Sequence, residues 1–204
     1  MIKSLLASLC AAALFALAPP ARAVTAVDTG APAGNAVGAL AFDAFDWVAG
    51  QVTFTQAARI AAIQGHLLGG AAGETFDVSL FSADGGAGPG TLLYTTTATF
   101  GADGWNGVSG LQGWSVAAGN YWVEFEIQGD DTLGSGSVTG ALFDTGAPHP
   151  LAMTASTSDA GFSYADSPLS FGMRVSTVPW PSSAALMLAG LALLSTLVRA
   201  RRPH

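Results

Sequence analysis

Apolar and polar residues alternate with a period of two over much of the chain's middle. In Thr75–Ser82, Phe76, Val78 and Leu80 point one way and Asp77 and Ser79 the other. In Tyr121–Gln128, Tyr121, Val123, Phe125 and Ile127 form one face, and Trp122, Glu124, Glu126 and Gln128 the other. In Leu169–Ser176, Leu169, Phe171, Met173 and Val175 alternate with Ser170, Gly172, Arg174 and Ser176. Side chains of a strand point to opposite faces in turn, so each run predicts a β-strand. Shorter or less regular runs predict further strands at Val37–Phe42, Gln51–Thr55, Thr91–Phe100, Leu111–Val116, Val138–Phe143 and Leu151–Ala155. Ala57–Leu68 has the composition of a helix, yet Ile60, Ala62 and Gln64 also alternate. Gly65, Gly69 and Gly70 follow closely, and a strand is expected there.

The connections carry turn chemistry. Ala83–Gly90, Asp103–Gly107, Ala117–Asn120 and Gly129–Gly136 are rich in Gly, Asp and Asn, and are expected as loops. Many short strands joined by glycine-rich turns predict an all-β domain, a jelly-roll-like β-sandwich. No internal repeat stands out.

The two ends break the pattern. Residues 1–23 read as a secretory signal peptide: Lys3 supplies the basic start, Leu5–Ala18 the apolar stretch, and Pro19-Pro20 end it. Ala21-Arg22-Ala23 fits a signal-peptidase site, with Val24 as the mature N-terminus. Signal peptidase and the secretion machinery are thus expected partners. Cys10 does not make a lipoprotein signal, because Leu9 precedes it and it lies inside the apolar stretch.

At the other end, Val178-Pro179-Trp180-Pro181-Ser182-Ser183 precedes an apolar run, Ala184–Val198, and then Arg199, Arg201 and Arg202. A helix rising about 1.5 Å per residue needs about 20 apolar residues to cross a hydrocarbon core of about 30 Å. The apolar run reaches that length if Ser182, Ser183 and Trp180 lie in the interface. The prolines at 179 and 181 hold the helix start to Ser182 or Ser183. The arginines would hold its far end on the cytoplasmic side. A C-terminal transmembrane helix is therefore expected.

Val178-Pro179-Trp180-Pro181, the apolar helix with central Gly190 and the arginine cluster together resemble the PEP-CTERM sorting signal of Gram-negative bacteria. The resemblance covers residues 178–204. It departs at Trp180, where the family has Glu. It implies recognition by an exosortase, an integral-membrane transpeptidase-like protease that cuts near the motif. The protein would then cross the inner membrane, be held there transiently, and pass to the cell envelope or extracellular matrix. A permanent membrane anchor is the alternative use of the same tail. Gly88–Tyr94, followed by a Trp and then Ala118–Val123, also looks like a β-sandwich domain common in exported bacterial proteins that carry such tails.

Charge narrows the function of the exported domain, residues 24–177. Of seven basic residues in the chain, only Arg59 and Arg174 lie within it, and all fourteen acids do. A domain with a net charge of about −12 repels nucleic acid, and no nucleic-acid partner is expected. Cys10 is the chain's one cysteine. The mature chain would hold neither a disulfide nor a thiolate nucleophile.

Candidate chemistry is sparse. No nucleophile-elbow, zinc-protease, EF-hand or nucleotide-binding motif is present. No enzyme activity, metal or cofactor is expected. His66 sits in a strand-like context and His149 between Pro148 and Pro150 in an exposed loop; both read as structural or surface residues. Glu124 and Glu126 lie two apart on one strand, about 6.5–7 Å. That spacing suits a glycoside-hydrolase pair, but a solvent-facing strand edge is the plainer reading. Asp130-Asp131 could offer oxygen ligands to calcium, although turn chemistry accounts for them. Trp47, Trp105, Trp114 and Trp122 would ordinarily fill the core. Trp105 and Trp122 are the candidates for a glycan-binding face, with exopolysaccharide as its ligand.

Overall fold

A computed structural model describes residues 23–32, 39–84, 86–136, 140–167, 170–179 and Gly190. Residues 1–22 of the expected signal peptide and most of the sorting tail, including Trp180, Pro181, Arg199, Arg201 and Arg202, lie outside the described residues. Among the described residues, no helix is long and apolar enough to cross a membrane. Ala23–Val178 forms a compact unit of its own.

Thirteen strands are found among the described residues: β1 (Val24–Asp28), β2 (Ala39–Phe42), β3 (Trp47–Phe54), β4 (Ala58–Leu68), β5 (Thr75–Ser82), β6 (Leu92–Thr99), β7 (Gly104–Ser109), β8 (Ser115–Val116), β9 (Gly119–Glu126), β10 (Ala141–Asp144), β11 (Thr154–Thr157), β12 (Ala165–Asp166) and β13 (Met173–Pro179). The domain is all-β and its sheet antiparallel, consistent with a β-sandwich. The strand order is β1-β13-β4-β7-β6-β5-β9-β3-β11-β12, with β10 joining β2 to β4 and β8 beside β4.

Between β6 and β7 the pairing is the single bridge Thr99 to Gly107. The strands on either side of this junction share one core. Ile63 and Leu67 of β4 and Met173 and Val175 of β13 join Val78 and Leu80 of β5 and Val123 and Phe125 of β9. Phe143 of β10 sits among the rings, 4.9 Å from Phe42, 5.0 Å from Phe125 and 5.3 Å from Phe171, all edge-to-face. Burying each such ring contributes about 1.5–3 kcal/mol. The rings meet over Gly65, where an added Cβ would lie 2.8 Å from Phe143 and 3.0 Å from Phe125. The glycine that made Ala57–Leu68 ambiguous is thus a packing requirement of the core.

Several expected elements differ in detail. Asp103–Gly107 is not only a loop: from Gly104 it is strand β7, paired with β4 from Leu67 to Ala62. Buried Asn106 makes the transition. Its Oδ1 accepts from Gly101 N at 2.8 Å, and its Nδ2 donates to Ala102 O and Gly104 O. The expected strand Leu111–Val116 shortens to β8. β1 and β12, which carry no strong alternation, form by pairing with β13 and β11. β4 is a strand, but its inward positions change phase, from Ala58 and Ile60 to Ile63, Gly65 and Leu67. The change falls where its partner switches from β8 to β7.

The largest correction concerns β9. Its Trp122, Glu124 and Glu126 face was expected to meet solvent. Trp122 and Glu124 are 0 % exposed and Glu126 4 %. The strand is central, between β5 and β3, and its second face is covered as well as its first.

Candidate functional site

Two side-chain clusters stand out, one on each side of the junction at Thr99 and Gly107. The first is the enclosed face of β9. The register places Glu124 opposite Ala49 of β3 and Ser79 of β5, Trp122 opposite Gln51 and Phe81, and Glu126 opposite Asp77. Beyond β3, Ala155 of β11 lies opposite Ala49 and also opposite Asp166 of β12. Small residues at 49, 79 and 155 leave depth over this face. Trp122, Ala49 and Ala155 fill it as a second apolar cluster, flanked by Phe81, Ala83 and Tyr164.

Tyr164 comes from the connection between β11 and β12. Its hydroxyl donates to Glu124 Oε1 at 2.5 Å. Burial pushes the Glu124 carboxyl up to about 8, against the pull of the Tyr164 hydrogen bond and with help from the nearby Glu126. Glu126 is also pushed up, first by burial and then by Asp77 and Asp131, while Ser79 opposes. Glu126 Oε2 accepts from Gln128 Nε2 at 2.8 Å. Burial and the two glutamates drive the Tyr164 hydroxyl far upward, so it stays protonated. Trp47 Nε1, Trp122 Nε1, Glu124 Oε2 and Glu126 Oε1 are buried without a hydrogen-bond partner. Such groups are uncommon in folded proteins, and each costs stability.

Surface hollows of about 590, 460 and 170 Å³ are present, the last lined by Trp47, Thr157, Ser158 and Ala165, but neither Glu124 nor Glu126 lines any of the three. The spacing that suggested a glycosidase pair therefore lies under a cover of protein. Both carboxyls are set there by strand register rather than by a cleft.

The second cluster runs along β4, β7, β13 and β1. His66 Nδ1 lies 3.2 Å from Asp144 Oδ2. The His66 ring meets Trp105 edge-on at 5.2 Å. Arg174 lies over the Trp105 ring, 3.9 Å from its centre, and its Nε donates to Asp28 Oδ1 at 3.0 Å. Burial acts to raise the Asp28 carboxyl, but the Gly30 N–H and Arg174 outweigh it and hold the carboxyl low. His149 is exposed, and its backbone N–H donates to Thr29 O at 2.9 Å. The sequence singled out Trp105, His66 and His149 but missed Asp144, Asp28 and Arg174, whose grouping depends on pairing between distant strands.

The structure does not bring the two glycan candidates together. Trp122 is enclosed and presents no ring to a ligand. Trp105 is half-buried, with Arg174 over its ring. Trp47 and Trp114 are buried, and Trp114 stacks on Tyr94 at 5.2 Å. Asp131 and Asp43 do turn work: Gln128 N donates to Asp131 Oδ2, and Phe45 N and Asp46 N to Asp43 Oδ1. Among the described residues, no group of three or more His, Cys, Asp or Glu side chains could hold a metal ion. Of the sorting motif, Val178 and Pro179 are described, at the end of β13.

Tyr164 is the residue that sequence reasoning missed at the β9 face. Its one signal is an aromatic pair, Phe162 and Tyr164, in a polar and glycine-containing connection. No protein-family model and no curated protein matches this chain.

Proposed function

We propose that this chain is an exported envelope or matrix protein whose acidic β-domain, of jelly-roll-like design, serves a binding or structural role rather than a catalytic one. Its N-terminal signal delivers it across the inner membrane. Its PEP-CTERM-like tail holds it there until an exosortase-type enzyme acts near Val178-Pro179-Trp180-Pro181. One observation carries the reading. The folded unit begins beside the expected signal-peptidase site and ends beside the expected sorting motif, with Val24 and Thr177 paired across β1 and β13. Both processing sites then flank a finished domain whose end strands hold each other, so either cut leaves the fold intact. The enclosure of Glu124 and Glu126 favours a structural role for that pair.

Intact mass and terminal peptides of the protein from membrane and extracellular fractions test this. A chain starting at Val24 and ending near Val178–Pro181 is expected outside the cell. A chain that keeps Arg199, Arg201 and Arg202 in every fraction overturns processing and leaves the permanent anchor. Contact with exopolysaccharide is proposed only through Trp105, the half-exposed ring beside Arg174. Retention on immobilised polysaccharide that survives Trp105→Ala removes that contact.

A further inference from the structure

Four buried polar atoms without partners, Trp47 Nε1, Trp122 Nε1, Glu124 Oε2 and Glu126 Oε1, belong to side chains spread along one face of β9 and β3, the face that Tyr164 reaches. That connection is built as a unit. Asp159 Oδ1 accepts from Ser163 N at 2.9 Å and from Thr157 Oγ1, and Asp159 Oδ2 accepts from Ser163 Oγ. Gly161 N and Asp159 N both donate to Thr157 Oγ1 at 3.2 Å. The Ser163 and Thr157 hydroxyls and the Ser163 N–H hold the Asp159 carboxyl down at about 2, so it stays ionised and the turn keeps its shape. Ala160 and Gly161 both have positive φ, 57° and 82°. An added Cβ at Gly161 would lie 2.6 Å from the Trp47 ring, so the turn rests directly on that indole.

Its attachments to the rest of the domain lie mainly at its two ends and at Tyr164. Ala160 N donates to Phe45 O at 3.1 Å, Ser167 N to Thr154 O at 2.9 Å and the Thr154 hydroxyl to Ser167 O, β12 adds two paired residues, and Tyr164 packs on the Trp122 cluster and beside Gly88. Phe162 at its tip is 91 % exposed. Tyr164 is the side chain that reaches inward, to Glu124. Few buried contacts mark a segment that opens locally at low free energy.

We propose that residues 158–166 form a protonation-controlled latch on the β9 face, seated by Tyr164 on Glu124, which stays closed while Glu124 keeps its proton and lifts when Glu124 ionises, because keeping a carboxylate from water there costs more than its bond to Tyr164 returns. The surroundings of Glu124 supply the reason. Glu126 shares its face of β9 and Ser79 lies opposite it on β5, while Asp77 lies opposite Glu126 and acts on it together with Asp131. The β3 positions on that face are Trp47, Ala49 and Gln51, and β11 offers Ala155; β12 adds Asp166 and the cover adds Asp159. Around this carboxyl the charged groups are acids, and no Lys, Arg or His faces it among the described residues. A carboxylate formed there has no counter-charge and one unpartnered oxygen. Lifting the cover returns it to water. Opening also uncovers Trp122 and Trp47, with their unpartnered indole N–H groups, as a tryptophan–carboxylate face.

Covered, Glu124 titrates at about 8; uncovered, it returns toward its ordinary 4.5. Between those limits each proton lost favours the open form, and the opening constant rises about tenfold per pH unit. Hydrogen exchange of the 158–166 amides in the full-length protein in neutral detergent, corrected for the intrinsic pH dependence of exchange, reads this directly. The wild type is expected to show that rise between about pH 5 and 8 and a plateau above, with the β4 amides far better protected at every pH. Glu124→Gln is expected to abolish the slope. Tyr164→Phe is expected to open faster at every pH and keep the slope, and it carries the test if Glu124→Gln fails to fold. A flat wild-type profile, an unchanged slope in Glu124→Gln, a Tyr164→Phe profile like the wild type, or 158–166 amides as well protected as those of β4 would each overturn the latch.

Discussion

Thr29 and Met173, far apart in the chain, are joined by a reciprocal pair of hydrogen bonds: Thr29 N donates to Met173 O at 3.0 Å, and Met173 N donates to Thr29 Oγ1 at 2.7 Å. Thr29 is 1 % exposed and Met173 fully buried. The threonine hydroxyl also lies 3.1 Å from Phe171 O. It thus continues the β1–β13 pairing past the end of β1 and ties the domain's entry to its exit.

Thr29→Val keeps the shape of the side chain and removes the acceptor of Met173 N. A buried N–H left without a partner costs about 1–3 kcal/mol. The midpoint of urea unfolding is expected to fall by that amount of stability, with an unchanged dependence on denaturant. An unchanged midpoint would show that water replaces the hydroxyl.

Glu74 is a second fastening of this kind. Its carboxyl accepts from the backbone N–H groups of Ala71, Gly134 and Gly136 at 2.8, 2.9 and 2.8 Å. Burial acts to raise its titration point, but these backbone donors and Ser135 outweigh it and the net direction is down. A lowered carboxyl adds stability that is present above its ordinary value of 4.5 and is lost as pH falls through the lower folded value. Glu74→Gln is expected to destabilise at pH 7 by about 2 kcal/mol, the worth of hydrogen bonds to a charged acceptor, and to flatten the acid limb. Thermal unfolding at pH 7 and pH 3 checks both; equal losses at the two values would contradict it.

Glu124 works in the opposite sense. Its carboxyl is raised from 4.5 to about 8 in the folded domain, by burial first. The unfolded chain then sheds this proton before the folded one does. Stability contributed by the protonated form is full below pH 4.5, and falls by about 1.4 kcal/mol per unit as pH climbs towards the folded value. Above that value there is no further loss from this residue. Glu124→Gln is expected to gain on the wild type steadily across this window in equilibrium unfolding. A gap that stays constant from pH 5 to pH 8 would refute the assignment.

Strand identity was legible wherever alternation was strong, because a period of two follows from backbone geometry alone. Thr75–Ser82 is β5 with the expected bounds. The strand preference for Ala57–Leu68 also holds. β1 and β12 were not legible, since Val24–Asp28 and Ala165–Asp166 become strands only against their partners β13 and β11. At the candidate site, alternation separated Glu124 and Glu126 from Val123 and Phe125. It could not say that both faces would be covered.

From the sequence alone come the strands with a strong period, the acidic balance of the domain, the candidate tryptophans and carboxylates, and the expectation of an address at each end. These depend on local geometry, composition and short motifs. The tertiary structure alone decided that Trp122 and Glu124 are enclosed, that Tyr164 reaches Glu124, and that Arg174, Trp105, His66 and Asp144 stand in a row. Burial and counter-charge are set by segments that arrive from distant parts of the chain. A carboxyl two residues from its neighbour on an exposed strand and the same carboxyl under a cover have the same sequence and opposite chemistry.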